Sequence, residues 1–231
     1  MSGRIHSIQT MGAVDGPGIR AVVFVQGCPL RCTYCHNPDT WDGNGGEEAS
    51  PEAVADKILR LKNFYLKGGV TVSGGEPLLQ GAFVNRLFDI MHKNGLHTAL
   101  DTSGIGTEGN IHLALEHTDL VLCDLKFPTE SLYKAHTGGT LKQVLTFLDI
   151  VKQKNIPLWI RHVVVPGLTD SEENIREIAG IAKSYKNLEK IELLPFKKVC
   201  ITKYEAIGIP FPLMDTPECK KERIEYLYSL L

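Results

Sequence analysis

The sequence lacks any long apolar run. Its longest is the five residues from Ala21 to Val25, far short of the roughly 18 needed to span a bilayer, so no membrane partner is expected. The start, Met1-Ser2-Gly3-Arg4, has no apolar stretch of the signal-peptide kind, and a cytosolic location is the expectation. No sign of charge dominates: 25 Lys+Arg against 27 Asp+Glu give a net charge of -2. There is thus no basic field to hold a polyphosphate backbone, and nucleic acid is excluded as the main partner. Low-complexity tracts and linkers are missing too; the one loose stretch, residues 42–46, reads Asp-Gly-Asn-Gly-Gly and falls inside a crossover. What is present, 43% hydrophobic and 23% charged residues in 231, fits one globular domain over 1–231.

A strand-then-helix phrase recurs six times, the pattern of parallel βα units. Strands are predicted at 20–26, 69–73, 97–101, 119–125, 156–165 and 188–194. Helical spacing follows each, as in Val54, Ile58, Leu61 and Tyr65 or Val84, Leu87, Phe88 and Met91. Ser50-Pro51 and Thr216-Pro217 read as N-caps before a first-turn proline, Asp170 with Glu173 as a capping box, and Gly95 as a helix stop. Polar, Gly or Pro residues follow all six strands, whereas an open doubly wound sheet needs them only near its switch point. The prediction is therefore an α/β fold: an incomplete (β/α)6 TIM-like barrel of parallel strands, laterally open, suited to a macromolecular substrate.

Six cysteines are few enough to place one by one. Cys123, Cys200 and Cys219 stand alone and read as small buried hydrophobes. Cys28-Pro-Leu-Arg-Cys32-Thr-Tyr-Cys35 puts three thiols in one loop just after the first predicted strand. Structural zinc takes four protein ligands, usually from two paired knuckles, and there is no second knuckle. Three thiolates suit a 4Fe-4S cluster with one iron left open, so the spacing favours iron–sulfur over zinc. A zinc module using Cys28, Cys32, Cys35 and His36 stays as the alternative.

Cys28-x3-Cys32-x2-Cys35 with Ser73-Gly74-Gly75-Glu76-Pro77 resembles the radical S-adenosylmethionine superfamily. Val14-Asp15-Gly16-Pro17-Gly18-Ile19-Arg20, Tyr34-Cys35-His36-Asn37, Asp39-Thr40-Trp41, Asp101-Thr102-Ser103-Gly104, Asp124-Leu125-Lys126, Trp159-Ile160-Arg161 and Ile191-Glu192-Leu193-Leu194-Pro195-Phe196 extend the likeness over most of the chain, to the glycyl-radical activating enzymes. Members with an inserted ferredoxin-like segment are set aside, because no extra CxxC clusters occur. A small-molecule enzyme of the superfamily, such as a deazapurine carboxylate synthase, is disfavoured by the 14–20 segment.

The resemblance implies one 4Fe-4S cluster on Cys28, Cys32 and Cys35, reductive cleavage of S-adenosylmethionine, and hydrogen abstraction from a glycine of a partner glycyl-radical enzyme, pyruvate formate-lyase being the expected one. A flavodoxin-type electron donor is implied as well. For the cofactor it implies Gly74 and Gly75 at the methionine amino group, Asp124, Leu125 and Lys126 at its charged ends, and Tyr34 and His36 at the adenine. A monovalent cation would fall on Asp101, Thr102 and Asp124. Asp15 and Arg161 are expected to receive the glycine segment. Each has a plainer rival: a tight βα turn for the glycines, loop caps for Asp101 and Asp124, a surface lysine for Lys126, and an ion pair of Arg161 with an acidic neighbour such as Asp15. The family's histidine two residues after the proline of the last strand is Lys197 here, and no adenine contact is carried over to it.

Overall fold

The computed structural model describes residues 2–231. Its strands are β1 (Gly3–Gly12), β2 (Arg20–Val25), β3 (Glu47–Ala49), β4 (Gly69–Gly74), β5 (Thr98–Thr102), β6 (Leu120–Asp124), β7 (Leu158–Val164) and β8 (Leu188–Pro195). Its helices are α1 (Pro51–Leu59), α2 (Lys62–Tyr65), α3 (Gly81–Lys93), α4 (Glu108–Leu115), α5 (Glu130–Thr137), α6 (Leu141–Gln153), α7 (Glu172–Lys183), α8 (Ile201–Ala206) and α9 (Lys221–Tyr228). The strands form one open sheet in the order β3-β1-β2-β4-β5-β6-β7-β8. From β2 to β8 every pairing is parallel, so the six predicted strands are those of the barrel wall.

Alternation along the strands sorts the two faces of that wall. In β7, Leu158, Ile160 and Val164 are buried in the core, while Arg161 and Val163, of opposite parity, face the barrel interior. In β4, Val70 and Val72 join the core and Ser73 faces inward. The helices cover the apolar side: Val84, Leu87, Phe88 and Met91 of α3 are fully buried, as their 3-4 spacing requires.

Two strands were not anticipated. β1 lies antiparallel to β2, and β3 antiparallel to β1. The apolar residues of β1, Ile5, Ile8 and Met11, are three apart, because register shifts between Ile5 and Ser7 and between Gln9 and Gly12 break the alternation that marks a strand. Ser50 caps α1 by accepting from Ala53 N, and Gly95 has a left-handed φ of 70° just after α3, both as expected. The expected capping box at Asp170 moves by one residue: Ser171 caps α7 through Asn174 N, and Asp170 instead accepts from Gly167 N at 2.8 Å. No helix starts at Thr216-Pro217. Cys219 N donates to Phe196 O at 3.0 Å, tying that segment to the end of β8, and α9 begins only at Lys221.

Gly75 and Gly180 give opposite expectations. A Cβ on Gly75 would stand 2.2 Å from Gly27 O, whereas one on Gly180, inside α7, would meet nothing within 4 Å. Gly75→Ala should lower stability by about 3 kcal/mol and Gly180→Ala raise it by up to about 1 kcal/mol, read as shifts of the urea midpoint.

Candidate active site

The cysteine loop leaves β2 and is fixed by backbone bonds on both sides. Cys28 N donates to Trp41 O at 3.4 Å, Arg31 N to Thr137 O at 2.8 Å and Thr33 N to His136 O at 2.9 Å. Cys28, Cys32 and Cys35 are unpaired thiols that line one cavity of about 270 Å³. Burial is the main cause that raises all three thiol pKa values, Cys28 to about 12 and Cys35 to about 11. Only a strongly positive bound group would hold them as thiolates. Among the described residues, no three His, Cys, Asp or Glu side chains gather closely enough to hold a single metal ion. Three thiols on one cavity are the donor number of a 4Fe-4S cluster with one open iron, and His36, the fourth ligand of the zinc alternative, has its Nε2 engaged with Lys197 O at 2.9 Å. Cys123, Cys200 and Cys219 are buried elsewhere, as expected.

The double-glycine turn after β4 is stitched to this loop. Gly75 N donates to Val25 O at 2.9 Å and Glu76 N to Gly27 O at 2.8 Å. A Cβ on Gly74 would fall 2.5 Å from Val25 N, so both glycines are required by backbone packed against backbone. Both also line the cavity. Glu76 is fully buried. Its carboxylate accepts from Leu78 N at 3.0 Å, Thr102 Oγ1 at 2.5 Å, Ser103 N at 2.8 Å and the Ser103 hydroxyl. Glu76 caps the short turn at Pro77–Gln80, and it also joins the loops after β4 and β5.

Deeper in the barrel the wall is charged. Asp124, Arg161 and Glu192 are register partners across β6, β7 and β8. Arg161 Nη1 meets Asp101 Oδ2 at 3.1 Å, and its Nε stands 3.6 Å from Glu192 Oε2, too far for a hydrogen bond. This buried Nε has no hydrogen-bond acceptor. Asp101 also accepts from Ser73 Oγ at 2.7 Å. The acidic groups in contact with Arg161 are thus Asp101 and Glu192, while Asp15 and Asp124 act on it as nearby charges; this corrects the ion pair considered with Asp15. Lys126 Nζ pairs with Asp124 Oδ2 at 2.8 Å and lines the cavity, so it is no surface lysine. Burial raises the pKa of Asp101; Lys126, with Arg161, lowers that of Asp124 against the effect of burial.

Asp15 reaches the same cavity from the turn between β1 and β2. Its carbonyl accepts from Thr71 Oγ1 at 2.6 Å, and Thr71 Oγ1 in turn accepts from Arg20 Nε at 2.6 Å. Arg20, fully buried, also donates to the carbonyls of Pro17, Gly68 and Val70, so one guanidinium braces the whole turn.

Of the candidates named from sequence, Asp15, Cys28, Cys32, Tyr34, Cys35, His36, Gly74, Gly75, Asp101, Thr102, Asp124, Lys126 and Arg161 all line one cavity. Leu125 does not. Its side chain is fully buried in the core, and its carbonyl accepts from His162 Nδ1 at 2.8 Å. Tyr34 is buried, with its hydroxyl 3.4 Å from Lys126 O; His36 stacks on Phe196 at 6.2 Å between centroids. Thr102 offers little as a ligand, because its hydroxyl is engaged with Glu76. Ser73, Asn37 and Trp41 line the cavity with no role assigned from sequence, although all three sit inside the motifs that carry the resemblance.

Residues 22–179 match the model of the Radical SAM superfamily, and the chain belongs to that superfamily. Over 231 residues it is 49% identical to the pyruvate formate-lyase-activating enzyme of Clostridium pasteurianum, covering 99% of this chain and 97% of that one. It is 40% identical to the pyruvate formate-lyase 1-activating enzyme of Escherichia coli K12, covering 99% and 95%. Within the superfamily it is a member of the pyruvate formate-lyase-activating enzyme family. A crystal structure of a domain of such an enzyme from Bacteroides vulgatus shares the fold, with a TM-score of 0.58 and 24% identity over 71% of this chain and 92% of that one. The superfamily carries a 4Fe-4S cluster and uses S-adenosylmethionine.

Anaerobic reconstitution tests the ligand set. Cys28→Ala, Cys32→Ala and Cys35→Ala should each abolish the iron-dependent visible absorbance, while Cys123→Ala, Cys200→Ala and Cys219→Ala retain it. Zinc without iron in anaerobic preparations would restore the zinc-module reading.

Proposed function

We propose that this chain installs a glycyl radical on a pyruvate formate-lyase, using electrons from a flavodoxin-type donor. The observation that carries this reading is that three thiols on one loop, the double-glycine turn and the Asp124/Lys126 and Asp101/Arg161 pairs all open on one cavity at the ends of parallel strands.

Cys28, Cys32 and Cys35 would hold the cluster, and when bound it supplies the electron that cleaves S-adenosylmethionine and so generates the hydrogen-abstracting radical. The chain's own part is to bind, orient and exclude water. The backbone at Gly74 and Gly75 receives the methionine amino group. Lys126 gives the methionine carboxylate a buried cation, and Asp124 faces the ammonium. Tyr34 and His36 flank the adenine. Burial lowers the pKa of His36, and its Nε2 is held on Lys197 O, which orients the ring. The same reading puts a monovalent cation between Asp101 and Asp124, two carboxylates facing one cavity; in the chain alone Arg161 and Lys126 neutralise them. Arg161, with a free Nε donor, and Asp15 receive the glycine segment.

Incubation with pyruvate formate-lyase, reductant and S-adenosylmethionine should give the doublet of a glycyl radical in electron paramagnetic resonance; its absence would refute the reading. Lys126→Met should retain the cluster and weaken S-adenosylmethionine binding roughly 30-fold, or about 2 kcal/mol, by calorimetric titration. Unchanged affinity would remove Lys126 from the cofactor site.

Asp15→Asn and Arg161→Lys should leave uncoupled S-adenosylmethionine cleavage within about twofold and slow glycyl radical formation about a hundredfold, the usual effect of an ångström's misplacement. Equal loss of both activities with a lowered melting temperature would make these residues structural instead.

A further inference from the structure

β1 is paired on both sides only at its start. Gly3, Arg4 and Ile5 face Ala49, Glu48 and Glu47 of β3; from there to Gly12 its only strand partner is β2. One carbonyl on this stretch, Thr10 O, is taken by the Tyr65 hydroxyl at 2.9 Å. Natural sheets protect such edges with lysine, proline, inward charges or very short strands. The other edge of this sheet follows that rule: β8 carries Glu189, Lys190, Glu192 and Pro195. From His6 to Met11 the sequence is His-Ser-Ile-Gln-Thr-Met, with no lysine, acid or proline, and Ser7, Gln9, Thr10 and Met11 are exposed. The chain thus guards one edge and leaves the other able to pair.

A second cavity, of about 290 Å³, runs beside this edge and is lined by His6, Ser7, Ile8 and Gln9. Its far wall is Lys203 of α8, whose Nζ donates to Asn37 Oδ1 at 2.7 Å and stands 3.5 Å from Asp39 Oδ1. Asp39 in turn meets His6 Nε2 at 3.0 Å, which fixes the width of the groove between β1 and α8. Phe24 and Asn37 line both this cavity and the cluster cavity, so the two are contiguous.

We propose that the glycine-bearing segment of the partner enzyme docks as an extended strand on the β1 edge from His6 to Met11, and that its glycine passes Phe24 and Asn37 into the cluster cavity. This rests on the function proposed above. Main-chain hydrogen bonds would supply the recognition, as in other cases of strand addition. Because the Lys203 charge is already matched by Asp39, the groove selects an uncharged segment free of proline at the bonding positions.

The experiment is amide hydrogen exchange on the cluster-loaded protein with S-adenosylmethionine, with and without a synthetic peptide spanning the radical-bearing glycine of a pyruvate formate-lyase. Alternate amides between Ser7 and Met11, those not bonded to β2, should exchange at least tenfold more slowly with the peptide. Peptides N-methylated at alternate positions should lose the effect in one phase and keep it in the other. Unchanged exchange along β1 under conditions where the peptide still gains its radical signal would overturn strand addition and leave the proposed function standing. Equal loss with both N-methylation phases would also overturn it. Concentration-dependent protection without peptide, with sedimentation at twice the mass, would assign the edge to a second copy of this chain. Failure to form a radical on both the peptide and the intact partner would instead count against the function on which the inference rests.

Discussion

The rest of the site depends on Glu76, a carboxylate buried where three strand ends meet. Its side chain gathers donors from Leu78, Thr102 and Ser103, and its own N–H reaches Gly27 O, one residue before Cys28. A buried carboxylate with fewer donors would be a liability; with four it becomes a rigid node. It fixes the cysteine loop relative to the double-glycine turn and to Asp101 and Thr102. The geometry from which cluster, methionine and interior charges are read is therefore set by one residue that does not line the cavity, through its side chain and its backbone N–H.

Beyond that node, the barrel interior is organised by alternating charge rather than by apolar packing. The register row Asp124, Arg161 and Glu192, with Asp101 and Lys126 beside it, keeps each buried charge next to an opposite one. Such pairs add little net stability, but removing one partner strands the other. The interior is thus a polar surface held in place by the apolar shell of helices, with donors such as Arg161 Nε left over for a ligand.

Much of this was legible in the sequence because the residues concerned sit at strand ends. A strand followed by Gly-Cys, Gly-Gly-Glu or Asp-Leu-Lys announces both an element and the loop that builds the site, and those strands lie within two residues of their predicted ends at each terminus. What escaped is equally specific. β1 was hidden because its bulges break the two-residue period, and the start of α7 slipped by one residue because Ser171 outcompeted Asp170 as cap. Leu125 was carried into the cofactor site by its motif, yet strand alternation places it in the core between two residues that do face the cavity. An acidic neighbour for Arg161 was expected, but which ones, Asp101 and Glu192, could not be named, because contacts across β5 to β8 do not show in a single linear pattern.

The placement of the cysteine loop also bears on the order in which the protein is made. Cys28, Cys32 and Cys35 follow the first antiparallel strand pair, whose contacts are local, while the walls that enclose them, Asp124, Arg161 and Glu192 among them, arrive more than eighty residues later. At the usual pace of synthesis, Arg161 emerges roughly ten seconds after Cys35, and its parallel pairings have high contact order and form slowly. The nascent chain therefore shows three uncovered thiols for an interval set by translation, and the protein is open to both metal delivery and oxidation before its barrel closes around them.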